Sequence, residues 1–146
     1  MSRPGTSRRS ERGAAALEFA IIVPALGLLI AVMIGGARIW FAHTTLEQIA
    51  GTAARSATLA TNPATARANA DRIARDQART AGLNCVGMQV EVDTSGFQVP
   101  VGQPAQVRVN VSCAVPLADL ILPGWPGSWE LRTESGSALD RYRRRG

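Results

Sequence analysis

The chain has no lysine: all 16 of its basic residues are arginine, the composition of a GC-rich genome, and no mechanism is drawn from it. Histidine is nearly absent too, with His43 alone. One imidazole is too few for the usual zinc sites, and no nucleophile and orienting acid are marked out around it for base catalysis. His43 reads instead as an interfacial or solvated residue. The two cysteines, Cys85 and Cys113, lack the Cys-x-x-Cys spacing of a redox motif. Aromatics are few, with three tryptophans, three phenylalanines and one tyrosine. The net charge of +5 and pI near 10.9 therefore lack the basic face interleaved with aromatics that marks a nucleic-acid binder. The expectation is a chain that is not an enzyme, with no cofactor, no metal, no nucleic acid and no small-molecule substrate.

Charge is missing altogether from Phe19 to Ala37, an apolar run of 19 residues. At 1.5 Å per helical residue such a run spans about 28 Å, close to the thickness of the bilayer hydrocarbon. A helix of a water-soluble core normally shows a polar face over this length, and here there is none. Arg3, Arg8, Arg9 and Arg12, against Glu11 alone, precede the run, so the positive-inside rule keeps the N-terminus in the cytoplasm. The second arginine cluster, Arg141 and Arg143 to Arg145, lies too far beyond the run to govern orientation. The expected topology is a single pass with the C-terminal part exported, long enough for one small domain.

The N-terminal residues Met1 to Arg12 have nothing apolar to bury and read as a disordered arm. From Ala14 a helix is expected. After Arg38 it turns amphipathic, with Ile39, Ala42, Leu46, Ile49, Ala53 and Ala57 recurring every three or four residues. Thr61-Asn62-Pro63 ends it and starts a second helix, Asn62 as N-cap and Pro63 at the first helical position. That helix runs to about Ala81, with Ala66, Ala70, Ile73, Ala74, Ala78 and Ala81 on one stripe, Asp71/Arg75 and Arg72/Asp76 at helical spacing outside, and Gly82 as its terminator. The period then drops to two. Met88, Val90 and Val92 form a half-buried strand before a turn at Thr94-Ser95-Gly96. Ala105 to Val115 is a clearer strand, with Val107, Val109, Val111, Cys113 and Val115 on one face. Pro116 to Pro126 is apolar but too short to cross a bilayer, and reads as a loop or helical turn that caps the sheet, or whose Leu120, Ile121, Leu122 and Trp125 enter the membrane interface. A last strand runs from Trp129 to about Leu139, weakened by Ser135-Gly136-Ser137, before a disordered arginine-rich tail.

Both cysteines fall in the exported part, where thiols oxidise, so a Cys85–Cys113 bridge is expected; the alternative is two unpaired buried thiols. Closing the loop between residues 28 apart is worth about 3.5 kcal/mol in the chain-entropy model.

Glu18 opens the apolar run, where a carboxylate is costly and normally has a partner. It is the fifth residue after Gly13, behind Ala14-Ala15-Ala16-Leu17. This resembles the processing site of type IV prepilin-like proteins. The fuller likeness, carried by Arg12 to Ala20, Pro24, Gly36-Ala37-Arg38 and Ala53-Ala54-Arg55, is to the TadE-like pseudopilins of the tight-adherence (Flp) pilus system. The resemblance implies a bacterial plasma-membrane protein, pilus-associated, cut after Gly13 by a prepilin peptidase so that Ala14 becomes the first residue. It also implies that Glu18 neutralises the new amine of a neighbouring subunit. Ala14 departs from the aromatic usual in major type IV pilins. Pro24 is expected to kink the span, and Gly27, Gly35 and Gly36 to permit close helix approach; Arg38 and Arg55 complete the family motif. The implied partners are the membrane, other pilins or pseudopilins, the pilus assembly machinery and the prepilin peptidase. The overall expectation is an α+β, pilin-like architecture. Residues 1–13 form a cytoplasmic basic leader, 14–60 the transmembrane helix and its extension, and 61–146 an exported domain with two-residue alternation in a small antiparallel sheet. Two other readings stay open: an unprocessed signal-anchored protein that keeps residues 1–13, and a secreted domain cut by signal peptidase after Ala37.

Overall fold

The computed structural model describes residues 8–120, 124 and 126–142, and their side chains from Glu18 onward except Leu120. A long uninterrupted helix is what the apolar run and the amphipathic stretch after it dictate together, because no helix-terminating signal separates them. Helix α1 accordingly spans Arg8–Thr58 with Pro24 inside it. It starts before the expected Ala14, taking in Arg8 to Arg12, which have no core to join but carry no breaker either.

Beyond Arg38 one face of α1 turns inward: Ala42, Leu46, Ile49, Ala53 and Ala57 are buried, joined by Ala50 and Ala54. Helix α2 (Pro63–Thr80) begins as its punctuation requires, with the Asn62 side chain accepting from the Thr65 N–H at 2.8 Å. It ends in a Schellman motif. Gly82 takes φ +69°, its N–H reaches the Arg79 carbonyl, and the Leu83 N–H reaches that of Ala78. Ala66, Ala70, Ala74 and Ala78 are buried, Ile73 only half so, and Ala81 is exposed at the cap. Asp71 pairs with Arg75 at 2.9 Å, but Asp76 pairs with Arg79 and not with Arg72.

Three antiparallel strands follow in the order β1–β2–β3: β1 is Val86–Asp93, β2 Gln106–Pro116 and β3 Ser128–Ala138. Gly87, at φ +78°, accompanies a register irregularity between Val86 and Gln89 at the edge of the sheet. The expected turn after β1 is a 3₁₀ turn, Ser95–Gln98, and a four-residue helix, α3 (Leu117–Leu120), follows β2. Strand β2 places Val107, Val109, Val111, Cys113 and Val115 in the core, as alternation predicts. Strand β3 runs straight through Ser135-Gly136-Ser137, with Gly136 opposite Arg108. The inner residues Thr133, Ser135 and Ser137 are small, which suits a close approach by α1.

The result is two layers. Both helices cover one face of the sheet, α1 over β3 and β2, α2 beside β1, and the helices pack on each other through alanines. The other face is polar, with Glu91, Asp93, Arg108, Asn110 and Glu134 around a shallow depression. The buried Thr94 hydroxyl accepts from Arg67 Nη2 at 2.8 Å, which ties α2 to the corner after β1. A Cys85–Cys113 disulfide, Cα atoms 5.2 Å apart, joins the entry of β1 to the buried face of β2.

Candidate functional site

The functional surface builds from α1. From Glu18 onward this helix is long and apolar enough to cross a membrane, with a mean hydropathy of 2.5 over its most apolar stretch, of which only 6% is buried. Phe19, Leu28 and Met33 are each about two-thirds exposed, in contrast to the buried core face higher on the same helix. A helix that is apolar all round and almost wholly exposed among the described residues suits a nonpolar solvent. One such N-terminal helix fits a single-pass membrane anchor.

Glu18 is exposed at the head of this surface and makes no ion pair with any described residue. Gly13 and Ala14 lie in α1. The Ala14 side chain is outside the described set. On a helix Ala14 stands one turn before Glu18, on the same face. Pro24 sits inside the helix, and an added Cβ at Gly27 or Gly36 would meet no described group within 4 Å beyond its own stretch of helix, so both leave open helix surface. Gly35 is the one buried residue of the run. Ile121, Leu122 and Trp125, expected to cap the sheet or enter the membrane interface, lie outside the described residues, as do Met1 to Ser7 and the last four residues.

Where α1 leaves the apolar run, the α+β layer comes down beside it. Arg38 Nη1 donates to the Asp119 carbonyl of α3 at 3.3 Å, and the Asp119 carboxylate accepts from Asn84 Nδ2 at 3.0 Å. These groups border a groove of about 500 Å³, whose apolar walls include Ile34, Phe41, Leu83 and Val115. Trp40, 70% exposed, stands at the same level of the helix, where an aromatic suits a membrane interface. Arg55, by contrast, is exposed near the end of α1, and its side chain makes no ion pair with a described residue. The two arginines of the motif therefore occupy different settings, one against the groove and one on open helix surface.

His43 lies within 3.3 Å of Glu47 one turn on, and both are half exposed. Among the described residues no three His, Cys, Asp or Glu side chains gather in one place. Among the described residues two titrating groups are displaced from their ordinary range. Backbone and side-chain hydrogen bonding from Ser95 lowers the Asp93 carboxyl, with Arg108 adding a smaller pull. The hydrogen bond and charge of Asp71 raise Arg75. Both lie at the surface and serve local structure.

Sequence reasoning did not find the groove. Its walls come from α1, the loop after α2, the end of β2 and α3, and no periodicity links them. The apolar Leu83 directly after the Gly82 terminator is the one local sign.

Residues 13–55 match the family model described as TadE-like protein. The match covers the N-terminal motif, the apolar run and the amphipathic extension to Arg55, the same segment on which the resemblance was read. Among curated proteins and solved structures, nothing matches the chain.

Proposed function

We propose that this chain is a pseudopilin-like component of a tight-adherence pilus assembly or secretion system. A prepilin peptidase cuts it after Gly13, and it is held in the bacterial plasma membrane with its N-terminus inside. It is not an enzyme. It acts by packing its span against other pilin-like helices and by presenting the α+β layer outside. The observation that carries this reading is Glu18, an exposed carboxylate with no ion-pair partner among the described residues, opening an otherwise uncharged span, five residues after a glycine and inside a TadE-like match. A carboxylate in that place costs about 2.5–3.5 kcal/mol when it lies deep, and a partner offsets the cost. Cleavage after Gly13 creates that partner, the Ala14 amine of a neighbouring subunit. Open surface at Gly27 and Gly36 gives neighbouring helices room to approach.

Intact mass and N-terminal sequencing of the chain from its native membrane, without reductant, test the reading. A start at Ala14 supports it. A start at Met1 or Ser2 replaces it with an unprocessed anchor, and a start at Arg38 with a released domain. Glu18→Ala is expected to enter the membrane normally and to be lost from the pilus assembly fraction; normal incorporation of that variant refutes the role given to the carboxylate.

A further inference from the structure

The groove at the foot of the exported layer has two properties that together point to its occupant. Its walls are apolar and continuous with the lateral surface of the span, since Ile34 and Ala37 belong to both. Its rim carries a cation, Arg38, whose one hydrogen bond among the described residues goes to a neutral carbonyl, while the nearby Asp119 carboxylate is taken up by Asn84. Arg38 directly follows the apolar run, which places its guanidinium at the depth of the phospholipid phosphates if the run fills the hydrocarbon.

We infer that this groove holds one phospholipid of the leaflet at which Arg38 emerges, its phosphate on the Arg38 guanidinium, one acyl chain descending past Ile34 and the other drawn up into the groove along Phe41 and Leu83. Charge selects the occupant. A neighbouring apolar helix satisfies the walls but leaves the guanidinium unpaired, whereas a phospholipid satisfies both, with a planar donor set suited to phosphate. A lipid seated there fills the space between the span and the exported layer and fixes how closely the layer rides on the membrane. The inference rests on the span crossing the bilayer and is independent of the pilus role.

The test uses the full-length chain. Carbonate extraction of native membranes comes first, and release of the protein overturns the membrane reading itself. The chain is then taken into mild detergent with phosphatidylglycerol, and bound lipid is read by native mass spectrometry for wild type, Arg38→Gln and Arg72→Gln, the last an exposed arginine of α2 away from the groove. In parallel, phosphatidylglycerol with a photoactivatable acyl chain is photolysed in vesicles and its adducts are mapped. One lipid per chain is expected, retained about fivefold less by Arg38→Gln and unchanged in Arg72→Gln. Adducts are expected at Leu83 or Asn84, which no lipid reaches along the span alone. Resistance to pulse proteolysis equal to that of wild type confirms folding in each variant. Equal retention in Arg38→Gln and wild type overturns the site, as do adducts confined to the apolar run. Lipid-free dimers as the dominant species overturn it too, by giving the groove to a second copy.

Discussion

Gly96, in the 3₁₀ turn after β1, tests whether close backbone approach shapes the α+β layer. A Cβ at Gly96 would lie 2.2 Å from the Gln106 carbonyl oxygen, 3.0 Å from its carbon and 3.0 Å from Leu139 Cδ1. The obstruction is backbone at the start of β2, so no side-chain rotation relieves it. Gly96 does not have a positive φ, so the cost of Gly96→Ala is steric alone. Overpacking costs about 1–3 kcal/mol, and a backbone wall puts this case near 3. Gly136→Ala is the matched control: it too lacks a positive φ, and its Cβ meets nothing nearer than Gln106 Oε1 at 3.6 Å. Reduced freedom of the unfolded chain should then make that variant about 0.5 kcal/mol more stable. With a urea m-value near 1.5 kcal/mol per molar, pulse proteolysis of the full-length chain in detergent should show the midpoint falling by about 2 M for Gly96→Ala and rising by about 0.3 M for Gly136→Ala. Midpoints that move together, or a Gly96→Ala midpoint within about 0.3 M of wild type, refute the steric argument.

Replacing Cys85 and Cys113 together by alanine should cost about 3.5 kcal/mol in the same assay, and adding reductant to wild type should reproduce most of that loss. Asn62→Ala should cost about 1 kcal/mol by leaving the Thr65 N–H without its cap, and hydrogen exchange should quicken in the first turn of α2 before anywhere else. Asp93 has a lowered pKa when folded, so its stabilisation is present above the ordinary carboxylate pKa of about 3.9 and is lost as pH falls through the lower folded value. Asp93→Asn should therefore be less stable than wild type at pH 6, with the gap closing below about pH 4; a gap constant with pH refutes the assignment.

What the sequence disclosed follows from how local each signal is. Asn62, Pro63 and Gly82 mark the ends of α2 through bonds within a few residues, and the alternating valines of β2 state which face is buried. The disulfide was legible because Cys113 shares the valine face. Strand β3 was harder to read: Ser135-Gly136-Ser137 looks like a weakness by propensity, and its strand conformation comes from pairing with Val107 to Val109 and from the need for small residues beneath α1. A Cβ on Gly51 of α1 would lie 3.7 Å from Ser135 Oγ, which shows how near helix and strand come. Asp76 had two arginines at helical spacing, and the sequence alone did not say that Arg79 would outcompete Arg72. The membrane and family signals sat in one contiguous segment and were read together, whereas the groove is assembled from four distant segments.

Because α1 passes from the apolar run into the core of the α+β layer without a break, the molecule is a lever with its load fixed to one arm. Pro24, Gly27, Gly35 and Gly36, the residues where a helix bends most readily, all lie before Arg38. Beyond it Gly51 alone interrupts the run of side-chain-bearing residues, and there the helix lies against β3. From Arg38 to Thr58 the arm is about 30 Å long, so a tilt of about 10° in the bilayer carries the far end about 5 Å sideways, and the sheet moves with it.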